Sequence, residues 1–372
     1  MKLGILCTMI NGFGRRGYYN SQEIGLGRAL ARKGHEVMIY KGIDPSEKEE
    51  KVQVEKNLTI WYLPMKHLGA HGFMDCKYLD PQLKALFCFG DQQIFLPHVY
   101  RWCRRRRIPF AAYVGTAHSL DSNFKSKVMN ALFAAGTLRI YKKNPVLAKT
   151  SAAKEELRQL GVPHAVIAPV GLDTAVLKKN IPADEKMRLR KEHGFEADDV
   201  ILCNVSRLSW EKRPLELIDL FLQVKGKKKF KLIIVGNGPL EEELNEKIRK
   251  NGLEKEVKIY PNVPYEKMWE IYEMSDYYLN MNKGEIFGMA IMEAVYYKTS
   301  VAAIRALGPS VTLKDMKGHK LCENDDEMAE WITGPYPSEK DLQESSEKMA
   351  ATFTWDRCAD AFLQASSEKS SR

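Results

Sequence analysis

The sequence predicts an α/β protein of two doubly wound, parallel-sheet domains. Three observations carry that prediction. The chain has 372 residues, enough for two domains of ordinary size. Short apolar runs alternate with amphipathic stretches of roughly 10–15 residues, the pattern of βαβ units. The alternation restarts near residue 180, after the polar stretch 178–184, where one continuous sheet would be unusually long.

The first domain, 1–177, opens with a strand over 2–9. Residues 22–33 (QEIGLGRALARK) bring Ile24, Leu26, Ala29 and Leu30 near one helix face, and Gly34 follows as a C-cap. Strands follow over 36–40 and 58–63. A helix over 91–107 is stopped by Pro109, and 110–114 (FAAYV) is a buried strand. Residues 127–141 read as a helix, 146–149 as a strand, 152–160 as a helix and 166–169 as a strand. In the second domain, 178–350, strands are expected over 199–205, 230–235, 257–260, 277–280 and 300–303. Helices are expected over 214–223, 240–251, 265–274 and 288–297. Residues 351–372 close the chain, with 365–372 (ASSEKSSR) expected to fray. Ligands of such sheets bind beyond the carboxyl ends of the strands, so the two domains are expected to face across a cleft.

Composition narrows the function classes. Hydrophobic residues make up 44% and charged residues 28%, which excludes extensive disorder. No run reaches the roughly 18 apolar residues of a membrane span. The opening MKLGILCTMING is too short an apolar run for a signal peptide, so a cytoplasmic location is expected. The seven cysteines form no CxxC pair and have no histidines at zinc spacing, which points to reduced thiols. The charge is uneven. Residues 1–150 hold 24 Lys and Arg against 11 Asp and Glu, while the remainder holds 33 against 37. The excess includes the run Arg104, Arg105, Arg106 and Arg107. It suits an anionic membrane surface, an anionic substrate or a nucleic acid, or is a solvated helix face.

Three segments carry chemistry. Asn11-Gly12-Phe13-Gly14-Arg15-Arg16-Gly17 follows the first strand, where glycines let backbone amides approach a phosphate or sugar. Tyr40 ends strand two where a dinucleotide fold wants an acid, so this is no dinucleotide fingerprint, and a plain strand–helix turn fits it too. In SRLSWEKRP, Arg207 stands at a strand end and Lys212 near the next helix start, a clamp for pyrophosphate or two surface charges. In GEIFGMAIMEA, Glu285 precedes a helix that carries Glu293. The amides of Phe287, Gly288 and Met289 at its start can hold an anion. Two exposed glutamates on an amphipathic helix are the plainer alternative.

These residues resemble those of family 4 retaining glycosyltransferases of the GT-B fold. The resemblance rests on Glu285 and Glu293 in EIFGMAIME, on Arg207 and Lys212, on VGNGP at 235–239, and on Gly34-His35-Glu36-Val37. PVGLD at 169–173 resembles the family's interdomain segment. Phe353-Thr354-Trp355 opens a last helix that in the family returns to the first domain. The fold implied is two Rossmann-like domains, and the activity is transfer of a hexosyl unit from a nucleoside diphosphate sugar with retention. A UDP-sugar, glucose or N-acetylglucosamine, leads as donor. Arg207 and Lys212 would then bind the diphosphate, Glu293 the ribose, and Glu285 the donor sugar. Asn237 and Gly238 would lie near the base. Gly12 and Gly14 would lie against the diphosphate, and His118 on the first-domain side of the cleft, where a purely structural role is the alternative.

Arg15, Arg16 and the Arg104–Arg107 run are expected on the acceptor or membrane side. The acceptor implied is a lipid, a lipid-linked glycan or a cell-envelope glycan, with a small soluble molecule as the alternative. The enzyme would then work at the inner face of the cell membrane. No Asp-x-Asp-like motif sits at a strand end, so neither metal nor cofactor is expected, and a front-face mechanism is favoured. Thr299 stands where the family places a turn glycine, which puts that turn in doubt. An epimerase would need a base set against C2 and a phosphorylase a Lys-bound cofactor, and nothing matches either; a nucleic-acid binder lacks a recognised module and leaves the paired glutamates unexplained.

Overall fold

Residues 1–10, 22–117 and 124–367 are described by the computed structural model of the chain. They divide into two units. One holds the described residues up to Asp173 together with 353–367, and the other is Thr174–Thr352.

The first unit runs β1 (Lys2–Cys7), α1 (Gln22–Arg32), β2 (Glu36–Ile43), β3 (Glu50–Glu55) and β4 (Leu58–Pro64). A two-stranded ribbon, β5 (His67–Leu68) and β6 (His71–Gly72), leads to β7 (Ala85–Phe89), α2 (Leu96–Arg105) and β8 (Phe110–Val114). Then come α3 (Phe124–Ala135), α4 (Thr137–Tyr141), β9 (Val146–Ala148), α5 (Ser151–Gln159) and β10 (Val166–Ile167). The sheet order is β10-β9-β8-β7-β1-β2-β4-β3. It is parallel except for β3, which pairs antiparallel with β4. The strand order reverses direction between β1 and β7. Right-handed crossovers therefore put α2–α5 on one face of the sheet and α1 on the other.

On the α2–α5 face, Leu6, Cys88, Ala112 and Val146 meet Trp102, Phe133, Tyr141 and Leu157 in one buried core. The other face is closed by α1 and by the last helix of the chain, Trp355–Ser367 (called α14 below). Phe87 packs on Phe362 there with ring centroids 4.1 Å apart. Gly25 of α1 lies so close to Trp355 that a Cβ would sit 2.1 Å from the indole nitrogen. The PVGLD segment anchors this return. Leu172 N–H donates to Phe353 O at 2.9 Å, and a Cβ on Gly171 would fall 2.1 Å from the Thr354 carbonyl carbon.

The second unit begins with α6 (Glu185–Glu192) and β11 (Val200–Val205), followed by α7 (Pro214–Val224), β12 (Phe230–Val235), α8 (Glu241–Lys250) and β13 (Val257–Tyr260). It continues through α9 (Met268–Met274), β14 (Tyr277–Asn280), α10 (Met289–Tyr296), β15 (Ser300–Ile304), α11 (Leu307–Thr312), β16 (Lys320–Cys322), α12 (Asp325–Thr333) and α13 (Glu339–Thr352), after which α14 follows. Its six parallel strands are ordered β13-β12-β11-β14-β15-β16, so the direction reverses between β11 and β14. Leu202, Ile234 and Leu279 pack with Leu217, Phe221, Ile248 and Met328 to form its core.

Several expected elements are corrected. The helix expected over 91–107 starts only at Leu96, because Asp91 takes a φ of 30° and turns its carboxylate toward Gly115. The helix expected over 127–141 starts earlier and breaks at Gly136, whose φ and ψ are −111° and −82°. β7 is a central strand that the sequence reading omitted, since ALFCF is buried on both faces and has no alternation to betray it. The strand expected over 166–169 is two residues long. Of the tail expected to fray, 365–367 are helical and the rest lies outside the described residues.

Candidate active site

In an open parallel sheet the place where strand order reverses leaves two loops diverging from adjacent carboxyl ends, which opens a crevice for a ligand. In the second unit those loops follow β11 and β14. The first carries Arg207 and Lys212, the second Asn282 and Glu285. Lys212 Nζ lies 2.8 Å from Glu285 Oε2, with only 19% and 16% of the side chains exposed. Asn282 Nδ2 donates to the same oxygen at 3.1 Å. Burial pushes the Glu285 carboxyl upward. The Lys212 charge and hydrogen bonds from Lys212, Asn282 and Asn280 outweigh it, so the group is held below the usual glutamate range.

The loops are shaped mainly by backbone. Asn282 Oδ1 accepts from Gly284 N–H at 2.9 Å, and Asn280 Oδ1 from Asn282 N–H at 3.1 Å, two successive Asx turns that present Glu285. Gly308 N–H donates to Glu285 O at 2.8 Å and fastens the segment to α11. Gly288 then takes a left-handed φ of 84° as the N-cap of α10. The loops after β11 and β12 are tied in the same way. Leu208 N–H donates to Asn237 O at 2.9 Å, and Gly236, at φ 140°, leaves room for Ser206 O, which a Cβ would meet at 1.9 Å. Asn237 Nδ2 bonds the Pro261 carbonyl and Asn262 Oδ1, which joins the loop after β13 to the set.

Three side chains escaped the sequence reading. Arg213, in a left-handed conformation just before α7, makes a two-pronged bond to Asp325 at 3.0 and 2.7 Å and so fixes the end of the Lys212 turn. Tyr272 donates to Glu293 Oε2 at 2.8 Å and stacks on Tyr297 at 5.9 Å. Burial, reinforced by the neighbouring Glu293 charge, pushes the Tyr272 phenol well above its ordinary value, so it remains a donor. Asn282 is the third. Its position two residues before a glycine was an available signal for an Asx turn.

Glu293 is 5% exposed. The glycine expected near 299 is not needed. Lys298 takes the left-handed φ of 61°, Thr299 N–H closes on Ala294 O, and Thr299 Oγ1 bonds the Tyr272 carbonyl. Arg207 lies apart from Lys212 in environment. It is half exposed and paired with Glu211 at 2.8 Å. A shallow depression of about 640 Å³ borders Gly238, Pro239 and the start of α8, away from the Lys212–Glu285 pair.

The first unit has its own switch point, between β1 and β7. Asp91 accepts from Gly115 N–H at 2.6 Å and faces Lys149 Nζ at 3.4 Å, both side chains largely buried. Thr8 Oγ1 donates to the buried Gln93 at 3.0 Å. Gly12, Gly14, Arg15, Arg16 and His118 lie outside the described residues. Arg104 to Arg107 are exposed at the carboxyl end of α2, and Arg106 stacks over Trp102 at 4.7 Å. That is the end of the sheet where β8 starts. The arginine run therefore lies at the edge opposite the carboxyl-edge crevice of this unit, because a crossover helix runs antiparallel to its strands.

Residues 185–348 match the family model described as glycosyl transferases group 1. Over that stretch, the greater part of the second unit, the chain is similar to glycosyltransferases of the family 4 type. Curated relatives of the chain include a D-inositol 3-phosphate glycosyltransferase of Xylanimonas cellulosilytica, 23% identical and covering 97% of this chain and 94% of that one. The alpha-monoglucosyldiacylglycerol synthase of Acholeplasma laidlawii is 20% identical, with 73% of each chain covered. Among solved structures, sucrose-phosphate synthase from Thermosynechococcus elongatus superposes with a TM-score of 0.77 at 16% identity, covering 100% and 99% of the two chains. HepE of Anabaena in complex with UDP-glucose gives 0.69 at 15%, with 100% of both chains covered. The chain thus has the GT-B fold. Among its described residues no helix is long and apolar enough to cross a membrane.

Proposed function

We propose that the protein moves a hexosyl unit, glucose or N-acetylglucosamine, from a UDP-sugar to an acceptor hydroxyl with retention at the anomeric carbon. The observation that carries this reading is the Lys212–Glu285 pair at the switch point of the second sheet, beside the helix that holds Glu293. A diphosphate arriving there would draw Lys212 and Arg207 from their carboxylates and spread its charge over both cations and the amides at the start of α10. Glu293, fixed by Tyr272, would accept from the ribose hydroxyls. Glu285 is ionised and would face the positive charge that develops at the sugar as the leaving group departs. Asn237 and Gly238 would lie near the base. With cations and amides meeting the diphosphate, no metal is required. The leaving phosphate would take the acceptor proton on the same face of the sugar. The glycine loop at Gly12 and Gly14, and His118, are proposed for the diphosphate and for the donor sugar or acceptor.

The acceptor proposed is a lipid or lipid-linked glycan at the inner face of the cell membrane. The diacylglycerol-glucosylating relative supports this, as does the basic first unit. A small soluble acceptor is the second reading, supported by the inositol phosphate relative that spans nearly the whole chain.

The test is thermal stability against UDP-, GDP-, ADP- and CMP-sugars with and without a chelator. A ligand at a hundredfold excess over Kd stabilises by about 2.7 kcal/mol. The expected outcome is a shift with a UDP-sugar, insensitive to chelator and lost in Arg207→Ala and Glu293→Ala. No shift with any donor would overturn the reading.

A further inference from the structure

Helix α3 breaks the rule that a surface helix turns a polar face to water. Phe133 and Met129 on one side of it are buried, and Phe133 belongs to the core of the first unit. Phe124, Val128 and Leu132, spaced four apart along the opposite side, are 82%, 42% and 48% exposed. Ala131 and Ala135 fill the same face, where Lys127 is an exposed cation. The neighbouring α2 behaves ordinarily. It buries Leu96, Val99, Trp102 and Cys103 and exposes Arg101, Arg104 and Arg105.

The surroundings of this stripe are strongly one-signed. Residues 92–154, which supply α2, α3 and α4, contain 12 Lys and Arg and a single acid, Asp121. Arg101, Arg104, Arg105, Lys127, Arg139 and Lys142 are exposed, and among the described residues none of them has an acidic partner in an ion pair. Right-handed crossovers place these three helices on one face of the sheet. An apolar ridge set in a cationic layer is complementary to one surface, an anionic bilayer. Aliphatic and aromatic groups enter the acyl boundary, and cations meet the phosphates.

We infer that the outer face of the α2–α3–α4 layer docks the protein on an anionic lipid bilayer, with Phe124, Val128 and Leu132 as the inserted ridge and the α2 arginines as the electrostatic contact. This rests on the lipid-acceptor reading above for its purpose but not for its observations. It also gives Arg104 to Arg107 a task other than binding acceptor at the carboxyl-edge crevice.

The experiment is co-sedimentation of the full chain with vesicles of phosphatidylcholine alone and with about 30 mol% phosphatidylglycerol added. Partitioning should favour the anionic vesicles by at least roughly tenfold and weaken with salt. Phe124→Ser/Val128→Ser/Leu132→Ser should lower it by roughly tenfold or more, because each side chain loses its apolar burial. Replacing Arg104 to Arg107 with Gln should lower it similarly and flatten the salt dependence. These exposed positions leave the core untouched, and an unchanged melting temperature checks this. No partitioning, or partitioning indifferent to both variants, overturns the inference. So does a serine variant that turns a dimer into a monomer while vesicle binding persists, since the ridge would then be a self-association face. The UDP-sugar shift, measured on the same samples, reports the donor reading separately.

Discussion

The switch points of the two sheets are held by different means. At β11/β14 the backbone does most of the shaping: glycines at 236, 288 and 308 allow close approach, Asx turns aim Glu285, and the Lys212–Glu285 and Arg213–Asp325 ion pairs close the set. At β1/β7 the shape comes from side chains far apart in sequence. Asp91 reaches Lys149 across 58 positions, and Thr8 reaches Gln93 across 85. A backbone-built site leaves glycine and asparagine at fixed local spacing, so it is visible as a motif. A site built by distant side-chain pairs leaves single polar residues with no local signature. The first kind tolerates changes in its surroundings and fails at its glycines, whereas the second fails when either partner is lost.

The largest effect should come from breaking the backbone-built side. Gly236→Ala places a Cβ against Ser206 O at a φ that side chains avoid, and should destabilise by on the order of 3 kcal/mol. Calorimetry should show the second unit melting ~6–12 °C lower. Next, Glu285→Gln should keep the fold and lower turnover at least ~100-fold, because the charge proposed to face the reacting centre is gone. Turnover within a few-fold of the parent protein would remove Glu285 from its role.

The side-chain-built switch point is probed by Asp91→Asn. It leaves Lys149 buried without its counter-charge and should cost about 2 kcal/mol, read by denaturant unfolding. If the comparison holds, the UDP-sugar shift of the second unit survives this change.

A pH series sharpens the contrast further. Glu285 is held below the usual glutamate range when folded. Its contribution is present above the unfolded pKa and lost as pH falls through the folded one. The difference in melting temperature between the parent protein and Glu285→Gln should be flat above about pH 5 and shrink in more acidic solution. The smallest effect is expected at the exposed Arg207–Glu211 pair. Glu211→Gln should change stability by under about 0.5 kcal/mol and tighten donor binding about 2–3-fold by removing a carboxylate that competes for Arg207, as titration calorimetry would show.

Legibility followed the same division. Gly34 could be read as a helix stop, and it sits at φ 82° with its N–H closing on Ala31 O. Arg207, Lys212, Glu285 and Glu293 could be placed on their loops and helix because each lies next to a strand or helix end that local periodicity marks. Asp325, which anchors Arg213 from 112 positions away, could not.

By itself the sequence determined the α/β alternation, its restart in a second unit and the loops that carry the charged groups, because apolar periodicity and turn chemistry act over a few residues. Only the tertiary structure decided that β7 runs through the centre of the first sheet and that Asp91 faces Lys149. It alone also placed the arginine run at the opposite end of its helix layer from the crevice and left the apolar side of α3 uncovered. Those outcomes depend on which distant segments meet and which face of a helix the core takes up, and no local window of residues contains that information.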